Sequence, residues 1–236
     1  MKTLLKCSMA LLMVIGFSTL ALARGTANVS NTVHNMSVSG PFWSFYTTAE
    51  EQVCIFCHTP HGGSLTGPLW NRADPTSTWS FYSSSTLTTE VSNVAALNDE
   101  SLLCLSCHDG SIGVNEVLNY GALNPISAVT MPIVGTATPG ARIGGDAADT
   151  NDVGQLDDDH PISFSYQAVY TETGGVGFND PTGMTSDIRF FGGAALNVEC
   201  STCHDPHVDY ESDPTYAPFL NMSNAGSALC LACHDK

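Results

Sequence analysis

Four times the chain spells Cys-x-x-Cys-His: Cys54-Ile55-Phe56-Cys57-His58, Cys104-Leu105-Ser106-Cys107-His108, Cys200-Ser201-Thr202-Cys203-His204 and Cys230-Leu231-Ala232-Cys233-His234. Two cysteines three apart on one helical turn can each form a thioether to a haem vinyl group. The histidine that follows then sits under the iron as its proximal ligand. The four runs use eight of the nine cysteines. Cysteine pairs at this spacing also build zinc sites, but zinc does not require a histidine after each pair, and all four pairs have one. The spacing is also a poor disulfide staple. The pattern therefore reads as a tetrahaem c-type chain with four covalent haem c groups.

The histidine count extends this reading. The chain has eight histidines. His58, His108, His204 and His234 belong to the motifs, leaving His34, His61, His160 and His207. Four irons need four distal ligands, so the simplest expectation is low-spin bis-histidine ligation throughout. Met36, Met131, Met184 and Met222 are the rival distal ligands. A filled sixth position leaves no place for substrate, so the expected role is electron transfer rather than catalysis. A multihaem reductase would need an open iron, often with a lysine in its attachment motif.

The first residues read as an export signal, residues 1–23. Lys2 and Lys6 give a positive start, Met9 to Leu20 is mostly apolar, and Ala21-Leu22-Ala23 is an A-x-A cleavage site. The apolar run is too short to span a membrane, and Cys7 precedes it. Removal of this segment leaves residues 24–236 as one tetrahaem domain, with Lys236 its only lysine. Five basic residues then face 23 acidic ones, a formal charge of −18. Such a chain is unsuited to nucleic acid or an anionic membrane surface. With only 13% charged residues, its surface must be largely neutral, which permits self-association without demanding it. The Asn-x-Ser sequons at Asn28, Asn35 and Asn221 carry no functional reading. Asp157-Asp158-Asp159 lacks the spaced oxygens of a calcium loop, although Asp159 could orient His160.

The expected architecture is mostly irregular, with short α-helices and few short strands wrapped around four haems that act as the core. Thr47-Thr48 with Glu50-Glu51, Asn98-Asp99-Glu100 and Asn224 offer helix starts before three of the motifs. The Cys200 run has weaker signals. Weak strand patterns lie at Ile162–Tyr170 and Ile188–Phe191. Residues 118–155 show no helical periodicity.

Two motifs continue alike, as His58-Thr59-Pro60-His61 and His204-Asp205-Pro206-His207. Three residues do not reach around the macrocycle, so His61 and His207 should bind neighbouring irons. The proline turns each second histidine away from its own motif.

The segments CIFCHTPH (54–61), PLWNR (68–72), LCLSCHDG (103–110), DHPIS (159–163), VECSTCHDPH (198–207) and LCLACHDK (229–236) resemble the extracellular multihaem cytochromes of metal-reducing bacteria. The haem number and mature length are most similar to tetrahaem, filament-forming members of that family. The resemblance implies a secreted or cell-surface electron conduit, assembled as a homopolymer that carries electrons to external metal acceptors or redox partner proteins. It also implies that one histidine ligates a haem in the next subunit, with His61 at the matching position. The alternative is a soluble periplasmic shuttle that uses all eight histidines within one chain.

Overall fold

The computed structural model describes residues 25–40, 46–47, 50–64, 67, 69–109, 117–119, 133–134, 143 and 155–235. The signal segment and most of residues 118–155 lie outside these. Regular structure is short, because the Gly-, Pro-, Ser- and Thr-rich stretches between motifs seldom sustain a helix or a ladder. In chain order the elements are β1 (Tyr46–Thr47), β2 (Ser80–Phe81), α1 (Thr89–Ser92), α2 (Asp99–His108), β3 (Ile133–Val134), β4 (Gln155–Leu156), β5 (Phe164–Ser165), α3 (Tyr166–Thr173), β6 (Asn197–Val198), α4 (Cys200–Cys203) and α5 (Ala228–Cys233). β1 pairs antiparallel with β3, β2 pairs parallel with β4, and β5 pairs antiparallel with β6. Six 3₁₀ turns accompany them among the described residues, including Val53–Phe56 at the first motif and Ala225–Ser227 before the fourth.

The helix starts differ from expectation in instructive ways. Asp99 and Glu100 fill the first turn of α2 and His108 its last, as the helix dipole favours. Asn98 stands at the N-cap, yet its amide donates to Glu199 Oε1 (2.6 Å) rather than capping its own helix. Before Cys54 no α-helix forms. Thr47 is recruited into β1 opposite Ile133, and Gln52 leads into the 3₁₀ turn instead. The strand expected over Ile162–Tyr170 stops after Ser165. The Ser165 hydroxyl accepts from the Ala168 N–H and starts α3, which ends at Gly174 in the left-handed region (φ 62°). Tyr166 and Val169, one turn apart, then face the same core. Ile188–Phe191 forms no strand; only Phe191 bridges, to Asn197.

Two small apolar clusters are buried. One holds Met36, Ile55, Phe56 and Val117, beside the first motif. The other holds Phe164, Tyr166, Val169 and Val198, with Cys233 of the fourth motif against it. Polar residues join the elements. Buried Glu199 accepts from Asn98, Ser101 and Ser163, which ties the start of α2 and the approach to β5 to the head of α4. The N-terminal segment is strapped to the chain after the third motif. Asn28 N–H donates to the His207 carbonyl (2.9 Å), Asp209 N–H to the Thr26 carbonyl (2.8 Å), and the Asn28 and Asn31 amides to the Asp209 carboxylate.

Candidate haem-attachment sites

The eight motif cysteines are free thiols. Burial pushes Cys57 up to about 12, and the charge of the nearby Cys107 adds to the effect; Trp70 Nε1 and Arg72 Nε both donate to Ser106, which ties the first motif's clasp to the second motif. The Cys104 thiol donates to Cys200, which raises the pKa of Cys104 and lowers that of Cys200. The second and third motifs are therefore in contact. Burial raises Cys203 and Cys233 to about 11 each. Cys230 acts on Cys203 and Cys203 on Cys233, so the fourth motif lies near the third. Among the described residues no three His, Cys, Asp or Glu side chains converge on a point that could hold a bare metal ion.

Three of the four motifs are held by the same clasp. A one-turn helix leaves its last carbonyls without partners. At the first motif, Asn71 N–H donates to the Cys57 carbonyl (2.9 Å) and its amide to the Ile55 carbonyl (2.6 Å). At the third, Asn221 N–H donates to Cys203 (2.8 Å) and its amide to Ser201 and Thr202 (3.0 and 2.9 Å). At the fourth, Asn179 N–H donates to Cys233 (2.9 Å) and its amide to Leu231 and Ala232 (2.8 and 3.2 Å). The residue before each asparagine bridges the motif histidine: Trp70 to His58, Leu220 to His204 and Phe178 to His234. The residue before that has positive φ in every case: Leu69 (62°), Phe219 (58°) and Gly177 (80°). Sequence reasoning missed this clasp. Its trace is the recurring pair Trp70-Asn71, Phe178-Asn179 and Leu220-Asn221. The second motif is held differently, within the longer α2. Arg72, fully buried and adjacent to the first clasp, donates Nε and Nη2 to the Ser106 carbonyl (3.3 Å each).

The histidines fall into pairs. His58 faces His207 with ring centroids 6.3 Å apart and planes 13° from parallel. His108 faces His34 at 6.1 Å and 67°. His234 faces His160 at 6.3 Å and 68°. Two imidazoles sharing one metal through bonds of about 2.0–2.1 Å, with each centroid roughly 1.1 Å behind its nitrogen, stand about 6.3 Å apart. The donor spacing therefore fits an axial pair at three of the four motifs. His207 stands opposite His58, not opposite its own motif's His204. His204 and His61 make no ring contact with another histidine among the described residues, and both are exposed.

One ring nitrogen is fixed on several of these side chains, which leaves Nε2 free as a ligand. His204 Nδ1 bonds the Pro218 carbonyl (2.9 Å), His160 Nδ1 the Pro161 carbonyl (2.8 Å) and His207 Nδ1 the Asp205 carboxylate (2.8 Å). His160 thus uses a backbone carbonyl, and the orienting role considered for Asp159 is not what the geometry gives. His34 stacks on Phe219 (4.4 Å, 11°). Burial holds His34 down to about 4, with the charge of His108 adding, so its imidazole is neutral as ligation requires. His58 is likewise lowered by burial, while His207 is raised by its bond to Asp205. Of the methionines weighed as distal ligands, Met36 lies in the apolar cluster beside the first motif and Met184 packs against the second cluster. Met131 lies outside the described residues.

No protein-family model matches the chain, and no curated protein matches it.

Proposed function

We propose that this chain is an exported electron carrier that binds four haem c groups covalently, and that its copies join head to tail into a filament. Cys54/Cys57, Cys104/Cys107, Cys200/Cys203 and Cys230/Cys233 would hold the four groups. His58/His207, His108/His34 and His234/His160 would be the axial pairs at the first, second and fourth. The bound groups supply one-electron redox chemistry; the chain supplies their spacing and ligands and excludes a substrate from the iron. The contacts of motif one with two, two with three and three with four support a single unbranched row. A low-spin, bis-histidine set would make the protein a conduit rather than an enzyme. The acidic mature chain suits external mineral or cationic redox partners, and among the described residues no helix is long and apolar enough to cross a membrane.

The observation that carries the polymer is the remainder. After three pairings, one motif histidine (His204) and one spare histidine (His61) are left, and they do not meet. A donor and an acceptor separated on one chain can be satisfied by copies repeated in one direction, a heterologous contact that need not close. His61 of one copy would complete the axial pair of His204 in the next. The soluble periplasmic shuttle would instead need His61 and His204 brought together in one chain.

Mass spectrometry of the denatured, exported protein should give four haem additions, and negative-stain images of the secreted fraction should show filaments. His61→Ala should retain four haems and a folded monomer, lose filaments, and leave one high-spin iron per chain. Normal filaments with every iron six-coordinate in His61→Ala would sink the trans assignment. A wild type that stays monomeric and fully low-spin would favour the shuttle.

A further inference from the structure

The four spare histidines differ in what holds their second ring nitrogen. His160 donates to a backbone carbonyl, His34 lies 3.4 Å from the Pro206 carbonyl, and the His61 ring makes no hydrogen bond among the described residues. His207 differs: its Nδ1–H donates to Asp205 Oδ1 at 2.8 Å, and its backbone N–H donates to the same oxygen at 2.9 Å. The Asp205 side chain is only 19% exposed, so solvent screens the bond weakly. A carboxylate on one imidazole nitrogen draws that proton toward itself. The opposite nitrogen becomes richer in electrons and a better donor to ferric than to ferrous iron. Resting on the ligation proposed above, in which His207 shares an iron with His58, we propose that Asp205 lowers the potential of the station at Cys54 and Cys57.

Two cations lie near enough to matter. Arg189 acts on both Asp205 and His207 and weakens the effect without changing its sign. Arg72 acts on Cys57 and Cys107 together, so it moves the first and second stations alike and does not separate them.

Asp205→Asn keeps the size of the side chain and an acceptor oxygen but removes the charge. Spectroelectrochemical titration of filaments of the mature, haem-loaded wild type and variant should show four low-spin haems in both. One of the four steps should move upward by about tenfold in its equilibrium constant, about 59 mV for one electron. The other three should stay in place, and Asp205→Glu should restore the low value. The shifted step should belong to the paramagnetic resonance component with near-parallel ligand planes, since His58 and His207 differ by 13° while the two other pairs differ by 67° and 68°. Four unmoved potentials would overturn the assignment. So would a new high-spin component in Asp205→Asn, because the carboxylate would then be an anchor only. If wild type lacks four attached haems or an axial His58/His207 pair, the ligation itself fails and the tuning falls with it. A bis-histidine wild type with an unshifted variant sinks the tuning alone.

Discussion

Residues 54–71 and 200–221 run in parallel, from an attachment motif through a His-x-Pro-His turn to a clasping asparagine. Their backbone bonds correspond. Thr59 N–H donates to the Leu69 carbonyl (2.8 Å) as Asp205 N–H does to Phe219 (2.8 Å), and Asn71 and Asn221 each close on the second cysteine. The differences lie at the second histidine. His207 is locked by Asp205 and faces His58 of the other unit. At the position equivalent to Asp205 stands Thr59, whose hydroxyl donates to the His61 carbonyl (2.8 Å) and leaves the ring alone. One scaffold, used twice, thus presents one histidine fixed by a carboxylate beside another motif's histidine, and the other with its ring held by no hydrogen bond among the described residues. In the proposed ligation the relation between the units is one-way: the later unit's His207 stands by the earlier unit's His58, while His61 of the earlier unit meets no histidine ring of the later one among the described residues. Repetition of that one-way joint between chains is what a linear polymer needs.

The comparison breaks most visibly at the two histidines. His207→Ala should open the iron at His58 in every copy, at any dilution, and raise the high-spin signal by about one haem in four. The open iron of dispersed wild-type monomers should instead be that of His204, and it should close as filaments form. An optical titration of spin state against protein concentration distinguishes the two. Equal behaviour of His207→Ala and His61→Ala would mean that the units are not used differently.

The clasps should differ in strength. Asn71 donates to Ile55 and Asn119 and accepts from the Asn119 N–H (2.8 Å), whereas buried Asn221 Oδ1 has no partner. Leaving buried polar groups unpaired costs about 1–3 kcal/mol each. Asn71→Ala should therefore destabilise the haem-loaded protein by about 3 kcal/mol and Asn221→Ala by about 2 kcal/mol. Guanidinium unfolding measures both, and a larger loss at Asn221 would contradict the ranking.

The smallest effect concerns the positive-φ residue of each clasp, where the third copy already has Gly177. The left-handed region costs an ordinary residue roughly 1–2 kcal/mol, while glycine adds about 0.5–1 kcal/mol of backbone entropy. Leu69 is 53% exposed, so Leu69→Gly should be neutral to stabilising, by up to about 1 kcal/mol. Phe219 stacks on His34 and meets Tyr210 edge-on at 4.5 Å, so Phe219→Gly should destabilise and loosen His34. Thermal melts of the two variants should move in opposite directions.

The legible part of this site was the local part. The motifs, the duplicated His-x-Pro-His turn and the start of α2 at Asn98 are contiguous signals. The clasps were less legible because each joins a motif's second cysteine to an asparagine 14 to 54 residues away, and an apolar–Asn pair has no meaning until the turn it closes is known. The strand pattern at 162–170 misled because alternation over a few residues does not reveal a serine that caps a helix. Ser165 ends the strand and starts α3.

The sequence by itself determined how many Cys-x-x-Cys-His runs there are and how many histidines lie outside them, and so the number of groups proposed, because thioether attachment and proximal ligation would act within five consecutive residues. Only the tertiary structure decided which spare histidine faces which motif, the order of the row, and that His61 and His204 stand apart. Those relations join segments far apart in the chain. They depend on the Asp209 strap, the Glu199 hub and the clasps closing together, and no local pattern encodes a distance across the fold.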